Sequence, residues 1–388
     1  MLPIKRNIPL YYTFIFFSSL WIFNVILVLY YQVFNLNFSQ IALLGSILSL
    51  AIILFEIPSG AFADLIGRKW SIILSQILFI AYLIVLSQSS TIIGFVFSAL
   101  IFGISFSFIS GSKEAFLFDT LKALKRTKEH VKIMGKEHFL FAIAGIISAY
   151  LGPTLFEINI YYPIYLSLIC MIIALFVALF FYEEKNKNKF TFEEHTNQIK
   201  KSLKITFQSK KLLWIIFFTF ISAIGFRIFV NITQQPYILE IGFNLKEMAY
   251  IFVISAIIGS VCALFFDKFE KILGEKKSLF FLILSQTIIF FMIGFFAYKL
   301  NVIFLILFGV IRGYQGITMN DYINKHINSK ERATMLSISS FANNLFAAIF
   351  LLLIGFIINK SSILTGHIAT GLFVTIIGLG LLFYKYKK

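Results

Sequence analysis

The stretch Gly60-Ala61-Phe62-Ala63-Asp64-Leu65-Ile66-Gly67-Arg68-Lys69 separates two long apolar runs, and its reading organises the rest of the chain. Asp64, Arg68 and Lys69 are charges at the end of one apolar run and the start of the next, where side chains can reach water. Gly67 supplies the positive φ that a tight turn needs. Gly60 would let a neighbouring helix approach closely. Asp64 is placed to cap or face a helix N-terminus, and the Arg68 fork suits a carboxylate, for which Asp119 is the natural candidate.

Working outward, apolar runs fall at 10–33, 41–62, 70–88, 91–117, 138–157 and 162–182. Six more follow at 212–237, 248–266, 278–298, 301–320, 333–357 and 363–384. About 20 apolar residues cross a bilayer as a helix. Of the 388 residues 59% are hydrophobic and 13% charged, too few charges for the surface of a soluble globule. No ten-residue alternation typical of a membrane β-barrel occurs, so helices must satisfy the backbone in lipid. The expected fold is an all-α membrane protein of twelve transmembrane helices. Residues 1–182 and 212–388 form two pseudo-symmetric six-helix bundles joined by a cytoplasmic linker, 183–211. Within the linker Ile199, Leu203 and Phe207 share one helical face among lysines, which suits a short helix on the membrane surface.

Orientation follows the basic residues. With both termini cytoplasmic, all but six of the 34 Lys and Arg lie on the cytoplasmic side. Lys246, Lys299 and Lys360 fall outside, and Lys113, Arg227 and Arg312 lie within spans. The net charge of +16 thus serves topology and not nucleic acid. Lys5 and Arg6 precede an apolar run with no cleavage site after it, which reads as a retained first span. Cys170 and Cys262 sit in apolar stretches as small hydrophobes. The five histidines form no metal motif, and no nucleotide loop or enzyme signature is present.

The loop matches the G-x-x-x-D-x-x-G-R-K pattern of the major facilitator superfamily, in the position that pattern occupies, between spans two and three. The chain thus resembles a secondary transporter of that family along nearly its whole length. The resemblance implies alternating access of the two bundles in the cytoplasmic membrane. It further implies that Gly60, Asp64, Gly67, Arg68, Lys69 and Asp119 form a cytoplasmic gate, with an Asp–Arg–Asp latch. A second-half echo runs from Asp267 to Lys277, with Gly274 inside it and Asp321 parallel to Asp119, but without the Gly-Arg-Lys form. Gly145 to Pro153 is similar to the antiporter motif of drug exporters in its Gly152-Pro153 core, though Ser148 replaces one of its glycines.

Ionisable groups at bilayer depth mark pathways or pairs. Glu56 and Glu114 are the candidates for proton coupling, Glu56 at a depth where it could meet Lys113 or Glu114; a fixed Glu–Lys pair joining spans two and four is the alternative. Arg227, Asn231, Gln234 and Gln235 recur at i, i+4, i+7 and i+8, one helical face, and are read as a cavity wall. Arg312 and Lys113 join them as cavity candidates, and Asn24 and Tyr31 are placed opposite. The leading expectation is a monomeric, non-enzymatic, proton-coupled exporter of a small amphipathic molecule, with protons and the lipid bilayer as partners and no cofactor. The alternatives are an uptake carrier or uniporter for a small metabolite, an anion among the options, and a non-transporting relative.

Overall fold

The computed structural model describes residues 3–183, 209–326 and 329–386. Twelve helices are long and apolar enough to cross a membrane, and no strand occurs among the described residues. The first six are α1 (Ile4–Val33), α2 (Phe38–Leu65), α3 (Arg68–Gln88), α4 (Ile92–Ala123), α5 (Thr127–Ile158) and α6 (Tyr162–Leu179). The second six are α7 (Lys210–Glu240), α8 (Leu245–Ala263), α9 (Lys268–Phe295), α10 (Lys299–Ile323), α11 (Ile338–Lys360) and α12 (Ile363–Tyr384). The helical surface segment expected around Ile199, Leu203 and Phe207 lies outside the described residues.

The chain divides into two compact units, Met1–Leu27 with Ile47–Gln198, and Val28–Ser46 with Ile199–Lys388. The units therefore part within α1 and α2, and not at the linker alone.

Lipid is as apolar as leucine, so helices associate through close packing and internal hydrogen bonds. In the first unit, serines join α3 to α4. Ser71 donates to the Phe108 carbonyl at 2.7 Å, Ser112 to Ser71 at 3.0 Å, and Ser105 to the Ser75 carbonyl at 2.8 Å. Asn7, fully buried, donates to the Tyr182 carbonyl at 2.7 Å and to Thr120 at 3.1 Å, closing α1 against the ends of α6 and α4. α1 is not one continuous α-helix. It stops at Ser18 and resumes through a 3-10 turn, Ile22–Ile26. Ser167 satisfies the freed Phe23 amide at 3.1 Å, and Gly152 lets α5 lie against this break. A Cβ at Gly152 would stand 2.8 Å from the Ile22 carbonyl oxygen.

In the second unit α7 is the most enclosed helix, with 67% of its apolar window buried, against 17% for α8. The α2 segment packs on α11 through small residues: a Cβ at Gly355 would meet the Ala42 Cβ at 2.3 Å, and Ser46 donates to the Ala348 carbonyl at 2.7 Å. The helix of α7 passes through a π-turn, Phe229–Thr233, before continuing to Glu240.

Candidate functional site

The turn between α2 and α3 is built on Gly67, at φ +127°. Asp64 closes back onto Arg68, whose Nη2 donates to Oδ1 at 2.9 Å, and Arg68 Nε stands 3.7 Å from Asp119 at the end of α4. The three charges are thus neighbours, as the motif implies. The anion that caps α3 is a different residue. Glu183, just beyond α6, accepts the Arg68 amide on Oε1 and the Lys69 amide on Oε2, each at 2.8 Å. Two free N–H groups and the positive helix end make this a carboxylate seat. Gly67 has a second purpose here, because a Cβ would lie 2.6 Å from Glu183 Oε2. The Lys69 side chain lies over Trp70, 5.6 Å from its ring. Gly60 departs from expectation: among the described residues nothing lies within 4 Å of a Cβ built there. The tight crossings occur instead at positions such as Gly103, where a Cβ would come within 2.5 Å of Ala51.

Inside the first unit, α4 breaks at Gly111, φ +75°, and restarts at Ser112. Lys113 then reaches α5 and not α2. Its Nζ lies 2.5 Å from Glu137 Oε1, and the Tyr11 hydroxyl of α1 donates to Glu137 Oε2 at 2.7 Å. Glu137 is 5% exposed. The alternative of a Glu56–Lys113 pair between spans two and four does not form. Glu56 is half-buried on α2, Glu114 is exposed, and neither makes an ion pair among the described residues. Glu137 escapes the sequence reading because the fifth apolar run starts only at residue 138. Its helix begins about three turns earlier, at Thr127.

The expected stripe on α7 is split by the π-turn, which adds a residue to one turn and rotates the residues beyond it. Arg227 precedes it and donates from Nη2 to Asn344 Oδ1 of α11 at 2.8 Å. Asn231 is exposed within it and Gln234 is half-buried beyond it. Gln235 is buried and is no cavity wall. Its side-chain oxygen accepts the Val28 and Leu29 amides at 2.9 and 3.3 Å, where α1 resumes after its 3-10 turn. The same interruption separates Asn24 from Tyr31: Asn24 lies in the 3-10 turn of the first unit, and Tyr31 is buried in the second. Arg312 is exposed on α10, and Gln315 beside it donates to Ser222 of α7 at 3.1 Å.

The second-half echo also forms a turn on a glycine, Gly274 at φ +70°. A pocket of about 320 Å³ there is lined by Glu270, Lys271, Gly274, Glu275, Asp321 and Lys325. The α10 helix continues to His326, whose Nε2 lies 2.7 Å from Glu275 Oε2. Lys325 pairs with Asp321 and, at 3.7 Å, with Glu270. The hydrogen bond to Asp321 holds the Lys325 ammonium above the usual lysine range. No group of three or more His, Cys, Asp or Glu suited to a metal occurs among the described residues.

The arrangement can be set beside known proteins. The family model described as Major Facilitator Superfamily matches residues 10–351. An uncharacterized MFS-type transporter of Bacillus subtilis (strain 168), YxaM, is 30% identical over 261 residues, 65% of this chain and 63% of that protein. Multidrug resistance protein 2 of the same organism is 25% identical over 238 residues, 60% of this chain and 58% of that protein. The chain thus aligns with somewhat under two thirds of each of these two relatives. Among solved structures, the nucleoside transporter NupG superposes with a TM-score of 0.80 at 15% identity, over 100% of both chains.

Proposed function

This chain belongs to the major facilitator superfamily, and we propose that it is a proton-coupled secondary transporter of a small molecule in which Glu137 carries the proton. The carrying observation is the Tyr11–Glu137–Lys113 group. A buried carboxylate here holds a lysine of α4 and a tyrosine of α1 at once. Protonating it removes the attraction for Lys113 and one acceptor position, so α1, α4 and α5 lose a common tie. A proton that loosens three helices is the kind of local event that biases a two-state bundle. Alternating access of the two six-helix halves, in the cytoplasmic membrane with both termini inside, completes the reading. The Asp64–Arg68–Asp119 group would then close the cytoplasmic side.

The test uses purified protein in liposomes loaded with a pH-sensitive dye. Small organic anions, neutral solutes and amphipathic cations are supplied in turn across an imposed proton gradient. Wild type is expected to move protons with one of these classes. Glu137→Gln should lose that proton movement yet still exchange labelled compound across the membrane without a gradient. Proton movement at the wild-type rate in the variant would remove Glu137 from the mechanism.

Export of an amphipathic compound is a second reading, favoured by the likeness to a protein named for multidrug resistance. The Gly152-Pro153 pair adds little to it, since Gly152 is accounted for by its contact with the broken part of α1. Right-side-out and inverted vesicles would separate uptake from export.

A further inference from the structure

We infer that the polar face of α7 and α10 is an anion site, and that the transported molecule is a small organic anion held by Arg227 and Arg312. This deepens the transport reading above and rests on it for the word "transported".

The six apolar runs of the second half, 212–237 through 363–384, contain two arginines and no aspartate or glutamate. Guanidinium groups stay charged, and a charge at bilayer depth must meet water, a partner or a ligand. Arg227 donates to Asn344, a neutral amide that orients the guanidinium. Arg312 is exposed and makes no hydrogen bond or ion pair among the described residues. One turn further along α10, Gly316 faces open space, with nothing within 4 Å of a Cβ built there. An arginine and a glycine on the same open face make a poor lipid-contacting surface and a good aqueous one.

The two arginines stand on helices that pack directly. Gln315 donates to Ser222, five residues before Arg227, and the rings of Phe226 and Phe308 lie 4.4 Å apart. Two forked donors on adjacent helices suit a carboxylate or phosphate group, which either can engage bidentately. An anion entering a cell works against the inside-negative potential, and a proton carried with it removes that opposition. Anion recognition in the second unit and proton uptake at Glu137 in the first then form one symport.

The experiment reads electrostatic potential and needs no substrate. Cysteine replaces Gly316 in a chain whose Cys170 and Cys262 are serine, and a second reporter replaces Asn231, the exposed residue of the π-turn. In liposomes each thiol is reacted with a methanethiosulfonate carrying a sulfonate or a trimethylammonium group, each rate divided by that for a free thiol. The sulfonate reagent is expected to be favoured about 10-fold, the lower end of the enrichment that one-signed clefts produce. Adding Arg312→Gln should reduce the preference at Gly316→Cys to near unity. Reaction with neither reagent at either site would place this face in lipid and overturn the proposal. Equal rates, or a preference for the cation, would overturn the anion assignment. Because no gradient or flux is measured, failure of proton coupling and failure of the anion site are read separately.

Discussion

At the turn between its second and third helices the first unit places a base, Arg68, after Gly67, where the second unit places an acid, Glu275, after Gly274. The partners are exchanged as well. Arg68 faces carboxylates, Asp64 and Asp119, whereas Glu275 faces the base His326 at the end of α10. Each turn keeps a glycine with positive φ. The two copies share the backbone turn and an ionisable partner on the neighbouring helix end, a carboxylate in one and a histidine in the other. At bilayer depth they diverge further. The first unit pairs Lys113 with Glu137, and the second carries its arginines in runs without a carboxylate.

The strongest test of that contrast is Glu137→Ala. Removing one partner of a buried pair costs about 3–5 kcal/mol. The Lys113 side chain is 30% exposed, which places the expected loss below that range, about 2–3 kcal/mol. Thermal unfolding in detergent should show it, and Lys113→Ala combined with Glu137→Ala should recover a good part. A single variant as stable as wild type would mean that the first unit does not depend on its internal pairing.

Next in size is Gly67→Ala. An alanine there meets both a strained φ and Glu183 Oε2, with an expected cost on the order of 1–3 kcal/mol. Gly274→Ala meets strain alone, since nothing lies within 4 Å of its Cβ, and should cost less, on the order of 1 kcal/mol. Equal losses at the two glycines would show that the Glu183 contact adds nothing. The smallest effect is expected of His326→Gln, within about 1 kcal/mol for a partly exposed pair. The reciprocal swap, Glu275→Arg with His326→Glu, should restore the first unit's polarity without loss of folding, checked by the same unfolding curves. A swap that misfolds would tie the polarity to something beyond this pair.

The twelve spans are legible because twenty-residue apolar runs have few other uses, and the Gly-x-x-x-Asp-x-x-Gly-Arg-Lys spacing locates the turn. Individual partners are less legible, for physical reasons that differ from residue to residue. Glu137 stands just outside an apolar run, since a helix extends past the hydrophobic part of its own sequence. Glu183 begins a polar stretch and reads as linker, although the Glu183-Glu184 pair directly after an apolar helix is the available signal for an N-terminal cap. The stripe from Arg227 to Gln235 assumes a constant 3.6-residue turn, and the π-turn at Phe229–Thr233 breaks that assumption. The seven-residue spacing of Asn24 and Tyr31 assumes one regular helix as well, and the 3-10 turn of α1 interrupts it.

Glu183 has a mechanical meaning as well as an electrostatic one. It is the first residue of the segment that joins the two halves, and both of its carboxylate oxygens are fastened to the first amides of α3. The joining segment therefore begins at a clamped point. Tension along it is delivered to the start of α3, beside Arg68, and is not dissipated at the end of α6. Any movement that draws the connection taut acts as a lever on the residue that faces Asp64 and Asp119.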